Sequence, residues 1–228
     1  MSRARPVVAI DGPAGAGKST AARRLAERIG FVLVDTGALY RAVALAARER
    51  GVAWTDGPAL GRVAASLDLG FERREGGAPA LVVDGRDRSA DIRSPEISMG
   101  ASDVSKHPEV RAALLGLQRR LGQDGGVVLE GRDIGTVVFP DAEVKVFLTA
   151  SAEARARRRT DELAARGAAA DYELTLREIQ ARDAQDSGRE VAPLKPAQDA
   201  VVLDTTSMPL DTVVDELERI VARATHTA

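Results

Sequence analysis

One stretch of the sequence decides the fold: Gly12-Pro13-Ala14-Gly15-Ala16-Gly17-Lys18-Ser19. It fits the pattern G-x-x-x-x-G-K-[ST], the phosphate-binding loop called Walker A. Its glycines let the backbone turn so that successive N–H groups face phosphate oxygens. Lys18 supplies a mobile positive charge for the β- and γ-phosphates, and the Ser19 hydroxyl is suited to ligate Mg²⁺. The stretch therefore predicts a nucleotide-phosphate site.

The residues around the loop have the pattern that such a loop requires. Val7-Val8-Ala9-Ile10 predicts a buried strand, in an element spanning residues 6–10, and residues 20–29 predict a helix that ends at Gly30. A second apolar run, residues 31–35, ends in a carboxylate and is typical of a parallel strand buried on both faces. Residues 36–50 then predict a helix, so the chain begins as a doubly wound α/β fold.

The pattern changes between residues 57 and 99. A short helix over 58–66 precedes an alternating stretch, 67–73, and a second apolar stretch over 80–85 follows the Gly76-Gly77 pair. Alternation with a glycine-rich connection predicts an antiparallel hairpin rather than another parallel unit. We therefore predict an inserted subdomain over 57–99.

Strands and helices alternate again after residue 100. The predicted helices cover 102–122, interrupted near Pro108, and then 152–166, 174–186 and 210–224; the predicted strands cover 127–130, 144–148 and 201–204. The predicted fold class is thus α/β, a P-loop NTPase-type sheet of five parallel strands wrapped by helices, with one antiparallel insertion. Its core would comprise residues 1–56 and 100–228.

Composition excludes several classes of protein. The formal net charge of −2 gives no indication of nucleic-acid or membrane binding, and no apolar run is long enough to span a bilayer. The absence of cysteine excludes disulfides and thiolate metal sites. The first strand begins so early that we expect no signal peptide. We expect a monomeric cytoplasmic protein that binds neither nucleic acid nor membrane.

Polar motifs follow the predicted parallel strands repeatedly. The phosphate loop follows the first strand, Asp35-Thr36-Gly37 ends the second, and Gly131-Arg132-Asp133 follows the third. Ligands of open α/β sheets bind beyond the carboxyl ends of the strands. We therefore predict one cleft, lined by Lys18, Arg41, Arg132 and Asp133.

Two groups of charged residues rich in arginine accompany these motifs. They are Arg155, Arg157, Arg158 and Arg159, and then Arg182, Asp183, Asp186 and Arg189. A solvated helix face is the ordinary interpretation of such a run. Phosphoryl transfer, however, needs cations near the transferred group, and arginine fits phosphate oxygens in a bidentate way. We predict that at least one of Arg155, Arg158 and Arg159 contacts phosphates.

The motifs also narrow the class of phosphate enzyme. A GTP switch reads guanine with N-K-x-D, and the chain contains no asparagine. The two histidines, His107 and His226, belong to no strand-end motif, so neither is a candidate base. A phosphate acceptor needs no base, because a phosphomonoester is already mostly dianionic at neutral pH. The sequence therefore favours a small kinase that transfers a phosphoryl group to a phosphate.

Three segments together resemble the bacterial cytidylate kinases. They are the extended loop Ile10–Ser19, the stretch Asp35-Thr36-Gly37-Ala38-Leu39-Tyr40-Arg41, and Gly131-Arg132-Asp133-Ile134-Gly135-Thr136-Val137-Val138-Phe139-Pro140-Asp141-Ala142. The third segment is the most specific. Ala192-Pro193-Leu194-Lys195-Pro196-Ala197 adds to the resemblance, which extends over essentially the whole chain.

The resemblance implies a reaction and an organisation. MgATP and CMP or dCMP would give ADP and CDP or dCDP. The insertion would bind the nucleoside monophosphate, and a short helical lid would lie near residues 152–170. The resemblance also implies ATP-binding residues: Gly12, Pro13, Ala14, Gly15, Ala16, Gly17, Lys18, Ser19 and Thr20, with Ser19 holding the metal.

Carried over by position, the resemblance also implies roles at the acceptor site. The implied acceptor residues are Thr36, Tyr40, Arg41, Ser102, Arg111, Arg132, Asp133, Arg182, Asp186 and Arg189; the implied catalytic residues are Lys18, Arg132, Arg155, Arg158 and Arg159. Arg41 and Arg132 would hold the acceptor phosphate. Asp133, Ser102 and Arg111 would read cytosine, because a carboxylate accepts from its N4 amine.

Alternatives stay open at two residues and for the function. Asp133 could instead cap a helix, and Tyr40 could serve packing alone. The chain could be another small-molecule kinase, for UMP, dTMP or shikimate. It could also be a nucleotide-binding regulator without turnover.

Overall fold

The computed structural model describes residues 3–72, 74, 79–165, 167, 169 and 171–226. The strands are β1 (Val7–Asp11), β2 (Val32–Asp35), β3 (Leu69–Glu72), β4 (Ala80–Val83), β5 (Arg86–Asp87), β6 (Val127–Gly131), β7 (Val144–Thr149) and β8 (Val201–Asp204). The helices are α1 (Lys18–Ile29), α2 (Thr36–Glu49), α3 (Gly57–Ser66), α4 (Pro95–Val104), α5 (Pro108–Gly122), α6 (Ala152–Ala165), α7 (Tyr172–Ser187) and α8 (Leu210–His226).

The strands form two sheets. Five parallel strands lie in the order β2-β6-β1-β7-β8, and three antiparallel strands lie in the order β3-β4-β5. The predicted parallel sheet wrapped by helices is confirmed, and so is the antiparallel pairing of β3 with β4. The chain divides into two compact units, Met1–Val32 with Gly126–Ala228, and Leu33–Gly125.

In the first unit, β1 is the central strand, and it brings the polar motifs of its neighbours into register. Val7, Val8, Ala9 and Ile10 are fully buried, as expected for a parallel strand covered on both faces. Asp11 at its end pairs with Gly131 of β6 and with Phe147 of β7. The segments that leave β1 and β6 therefore start side by side at the carboxyl edge of the sheet.

The helices of the first unit pack in two sets. Helix α1 lies against β6 and α8, and helix α6 lies against α7. Helix α1 ends as its sequence predicts, because Gly30 takes the left-handed conformation, with φ 65°, and its N–H bonds to the carbonyl of Ala26. Between β6 and β7, Ile134–Val138 forms a short π-helical turn.

The second unit is built on an aliphatic core. Helix α2 packs against α3, α4 and β4, and α3 packs against α5. The side chains between these elements include the fully buried Leu39, Val43, Leu60 and Ile97. The scarcity of aromatic residues in the sequence is consistent with a core filled by branched aliphatic side chains.

Two predictions for the second unit are corrected by the structure, and a third concerns residues that the structure does not describe. The helix predicted to begin at Ser102 begins at Pro95, because the Ser94 hydroxyl caps it by accepting from the N–H of Ile97 at 3.1 Å. A third antiparallel strand, β5, was not predicted. The expected turn at Gly76-Gly77 lies outside the described residues.

Candidate active site

The phosphate loop links β1 to α1. Gly12 has φ 146°, and a Cβ there would overlap the carbonyl oxygen of Leu148, so this position requires glycine. Gly17 precedes α1 with φ 87° and offers no side-chain cap, and the first turn of the helix contains no acidic residue. The first N–H groups of α1 are therefore available to a bound anion, which the helix dipole favours.

Lys18 is buried and turns back onto its own loop. Its Nζ donates to the carbonyl of Pro13 at 2.7 Å, and the residue is 5% exposed. Burial lowers the pKa of Lys18, and the charge of Arg132 acts in the same direction, against Glu130 and Asp11. Negative phosphates beside this ammonium would favour its charged form.

Ser19 is joined to a carboxylate that the sequence reasoning missed. Its hydroxyl donates to Oε2 of Glu130 at 2.8 Å. Glu130 is 4% exposed and stands in β6 opposite Ile10 of β1. The sequence did contain one signal for this role, since Glu130 is a carboxylate directly after the apolar run Val127-Val128-Leu129. A hydroxyl beside a carboxylate is a pair of hard oxygen ligands, which suits Mg²⁺.

Arginines from separate elements meet at Asp186 of α7. The Nε of Arg132 donates to Asp186 Oδ2 at 3.0 Å, and Arg189 pairs with the other carboxylate oxygen. Burial raises the pKa of Asp186, but the charges of Arg132, Arg189 and Arg182 outweigh it, and the pKa lies below its ordinary value. Four of the predicted acceptor residues are thus brought into one electrostatic group.

Asp133 stands at the start of the π-helical turn and is 5% exposed. Its side chain makes no capping hydrogen bond to that turn, which removes support from the capping alternative. The turn is held instead by Asp11, whose two oxygens accept from the N–H groups of Ile134 and Gly135, each at 2.8 Å. Asp11 is a second buried carboxylate that the sequence reasoning missed.

The predicted catalytic arginines of α6 lie in three different environments. Arg155 is 4% exposed; its Nη1 donates to the Ala14 carbonyl in the phosphate loop at 3.1 Å, and its guanidinium pairs with Asp183. Arg158 donates to Oγ1 of Thr205 at 3.3 Å. Arg159 is half-buried and pairs with Glu162 at 3.0 Å. Arg155 thus contacts the backbone of the phosphate loop, while a contact with phosphates stays a prediction.

In the second unit, Arg41 and Tyr40 lie in the first part of α2. Asp35 caps this helix by accepting from the N–H of Ala38 at 3.1 Å. Its Oδ2 also pairs with Nη2 of Arg41 at 2.6 Å. The Arg111 guanidinium lies over the Tyr40 ring at 5.6 Å. Tyr40 is 9% exposed and belongs to the core, so packing is part of its role.

Thr36 and Ser102 complete the predicted residues of the second unit. Thr36 is the first residue of α2 and is buried, and Ser102 lies in α4 and is half-buried. The structure therefore brings Tyr40 close to Arg111 and Asp35 close to Arg41.

A phosphate loop between a central parallel strand and a helix, with arginines at the same edge of the sheet, defines a P-loop kinase. A gluconokinase from Sinorhizobium meliloti 1021 has the same fold, with a TM-score of 0.51 and 18% identity over 99% of this chain and 97% of that chain.

Sequence comparison narrows the class. The chain belongs to the cytidylate kinase family, whose profile matches residues 8–223, and it is an ATP-dependent phosphotransferase. A curated cytidylate kinase from Syntrophotalea carbinolica is 52% identical over 95% of this chain and 92% of the relative. A cytidylate kinase from Geobacter sp. strain M21 is 53% identical over 94% of this chain and 92% of the relative. The described part of the chain contains no helix that is long and apolar enough to cross a membrane.

Proposed function

We propose that the chain transfers the γ-phosphoryl group of MgATP to CMP or dCMP and releases ADP with CDP or dCDP. The observation that carries the proposal is the cluster of Arg132, Asp186 and Arg189, which lies where the chain leaves β6, the strand beside the phosphate-loop strand β1. Guanidinium groups beside a phosphate loop suit a reaction between two phosphates. The names of the relatives indicate cytidylate as the acceptor.

The ATP side of the proposal rests on the loop from Gly12 to Thr20. Loop N–H groups and Lys18 would hold the β- and γ-phosphates. Mg²⁺ would neutralise charge on the phosphate oxygens that it binds. Ser19 would hold the ion, and Glu130, which already accepts the Ser19 hydroxyl at 2.8 Å, would orient that ligand.

The acceptor side divides into phosphate, base and sugar contacts. Arg41 and Arg132 would hold the acceptor phosphate, with Arg189 nearby. Asp133 would accept from the cytosine amine, and uracil, which carries a carbonyl there, would be repelled.

The remaining acceptor residues would shape the pocket. Ser102 and Arg111 can donate to O2 and N3 of cytosine. Arg182 and Asp186 would contact the sugar hydroxyls, and Thr36 and Tyr40 would line the pocket. The carboxylate of Asp186 would then exchange part of its pairing with arginine for a hydroxyl donor.

The mechanism needs no general base. An oxygen of the CMP phosphate attacks the γ-phosphorus in line, and charge spreads over the equatorial oxygens of a loose transition state. Lys18, Arg132 and one or more of the α6 arginines, Arg155, Arg158 and Arg159, would stabilise that charge. Closure of a lid over about 152–170 would exclude water, which prevents hydrolysis of ATP. Residues 166, 168 and 170 of that segment lie outside the described residues.

We place this reaction in the cytoplasm and propose a monomer. The formal net charge of −2 supports a protein that binds small nucleotides rather than nucleic acid or membrane.

An acceptor panel tests the proposal. ADP release from MgATP is measured with CMP, dCMP, UMP, AMP and shikimate, with ATP alone as the blank. We expect fast release with CMP and dCMP and little with the others. Equal release with UMP would still indicate a kinase, but it would contradict the proposed role of Asp133 in reading cytosine. No release with any acceptor would favour a nucleotide-binding regulator.

A further inference from the structure

We propose that Asp11 is a positioning residue for the acceptor: its carboxylate fixes the backbone that carries Arg132 and Asp133, and so sets how tightly and how selectively the acceptor base is bound. The inference rests on the proposed function, which gives Arg132 and Asp133 their roles. It adds a residue that belongs to the strand of the phosphate loop and acts on the other substrate.

The contacts of Asp11 are directed at the acceptor segment. Oδ1 accepts from Ile134 N and Oδ2 accepts from Gly135 N, both at 2.8 Å. These are the first two peptide groups after Asp133, so they determine the direction in which the Asp133 side chain leaves the backbone. Asp11 itself is held in β1 by its register with Gly131 and Phe147.

A second side chain holds the same turn from another direction. A Cβ at Gly135 would lie 3.3 Å from Cγ and Cδ of Lys145 and 3.5 Å from Oδ2 of Asp11. The Nζ of Lys145 donates to the Pro140 carbonyl at 2.5 Å and to Asp199 at 2.7 Å. Gly135 is therefore enclosed between two charged side chains, and the turn has little room to shift.

The chemical type of residue 11 fits this task. Two N–H donors face the side chain, and a carboxylate meets both with its two oxygens, whereas an amide has one oxygen and presents an NH₂ to the other donor. Asp11 is only 5% exposed, and a buried carboxylate is costly unless it is hydrogen-bonded. The group is therefore well suited to holding a turn whose N–H groups would otherwise be buried.

The test compares Asp11→Asn with Glu143→Gln, a change of another carboxylate that lies next to β7 and holds the first residue of β1. Glu143 Oε2 accepts from the N–H of Val7 at 2.9 Å, so this control also removes a carboxylate that holds β1 backbone. Steady-state kinetics with CMP, UMP and ATP and a thermal melt are recorded for each variant.

Asp11→Asn is expected to raise KM for CMP by about ten- to a hundredfold, because small displacements of binding groups are costly. Its preference for CMP over UMP, as a ratio of kcat/KM, should fall by about tenfold. KM for ATP should stay within about twofold, since both hydrogen bonds of Asp11 go to the acceptor segment. Glu143→Gln should lower the melting temperature and leave KM for CMP and the CMP preference unchanged.

A second variant decides the matter if Asp11→Asn does not fold. Gly135→Ala keeps the charge of Asp11 but places a Cβ 3.3 Å from the Lys145 side chain, so the turn that Asp11 holds must shift by a few tenths of an ångström, and KM for CMP should rise selectively. Unchanged KM for CMP and unchanged CMP preference in the folded variants would overturn the inference. Equal losses for CMP and ATP would also overturn it, since they would indicate a general structural role.

Asp133→Ala separates failure of this inference from failure of the proposed function. If Asp133→Ala loses the CMP preference and Asp11→Asn keeps it, the inference alone fails. If the wild type shows no CMP preference, or Asp133→Ala retains it, the base-reading role in the proposed function fails and the inference falls with it.

Discussion

Lys18, Glu130 and Asp11 are charged side chains buried in the first unit. Each interacts with a different part of the site: the phosphate loop, the Ser19 hydroxyl and the turn after Asp133. Charges of both signs partly offset one another there, because Glu130 and Asp11 oppose the effect of burial on the pKa of Lys18.

The raised pKa of Asp11 predicts that its contribution to stability increases as the pH falls. Burial raises the pKa of Asp11 to about 6 from 3.8, although the N–H groups of Gly135 and Ile134 oppose this. A raised pKa means that the native state binds the proton better than the unfolded state. The stabilisation is complete below the unfolded pKa and is lost as the pH rises through about 6.

The free energy of unfolding of the wild type minus that of Asp11→Asn should therefore grow by about 1 kcal/mol from about pH 7 to about pH 5. Denaturant unfolding at both pH values measures it. Between these pH values the Glu143→Gln difference should stay nearly flat. Burial raises the pKa of Glu143, but hydrogen bonds and Arg3 outweigh it and hold that pKa below its ordinary value of 4.5, so this stabilisation is lost only below about pH 4.5. A difference for Asp11→Asn that stays flat or shrinks on acidification would contradict the assignment.

Site residues could be predicted where they belong to a sequence pattern of known function. Residues that also lie at strand ends beside the site, but whose role no such pattern indicates, were missed. Lys18 and Ser19 lie in a known pattern. Asp11 and Glu130 are single carboxylates at strand ends, and their roles depend on pairing between β1 and β6, which are more than a hundred residues apart in the chain. Sequence spacing does not contain that pairing, so the contacts could not be predicted.

Among the helices, α6 also shows that contacts set by tertiary packing cannot be predicted from the sequence. The arginine run predicted a charged helix, but it did not separate Arg155, which is buried, from Arg157, which is exposed. The difference arises from the position of α6 against α7, where Arg155 meets Asp183 and Arg157 lies over the Tyr172 ring at 5.4 Å. Helix register against a neighbour is set by tertiary packing and not by local pattern.

The unpredicted parts of the second unit have local causes. Strand β5 has only two residues, both polar and exposed, so it shows no alternation. Helix α4 did carry a start signal, since Ser94 precedes Pro95, and proline is favoured in the first turn. Its apolar residues are interrupted by small and polar ones, which weakens the periodicity from which a helix is predicted.

The close packing of α4 against Trp54 can be tested by its effect on stability. A Cβ at Gly100 would lie 2.5 Å from the indole, whose Nε1 donates to the Ala44 carbonyl at 3.0 Å. Gly100→Ala should therefore lower the free energy of unfolding by about 1–3 kcal/mol. Gly116→Ala in α5 is the control: its Cβ has only ordinary contact, at 3.6 Å from Arg120. That exposed change should raise stability by about 0.5–1 kcal/mol.

Denaturant unfolding of the two variants provides the comparison. Similar stabilisation by both alanines would mean that the second unit does not need close approach of α4 to Trp54.

For the whole molecule, the sequence was sufficient for the architecture. Buried apolar runs such as Val7–Ile10, each followed by a helix, specify a parallel sheet, and the alternating stretch around β3 and β4 specifies an antiparallel one. Strand order was not accessible in the same way, because β6 inserts beside β1 only in the folded sheet. That order is what places the phosphate loop next to Arg132.

The products formed from MgATP and CMP decide whether the chain transfers a phosphoryl group to CMP. With MgATP and CMP, we predict that ADP and CDP form in equal amounts with little inorganic phosphate, as measured by chromatography of all three. Lys18→Met should reduce CDP formation by about a hundredfold or more, because it removes a charge that stabilises the transferred group. ADP accompanied by an equal amount of inorganic phosphate and no CDP would contradict the account.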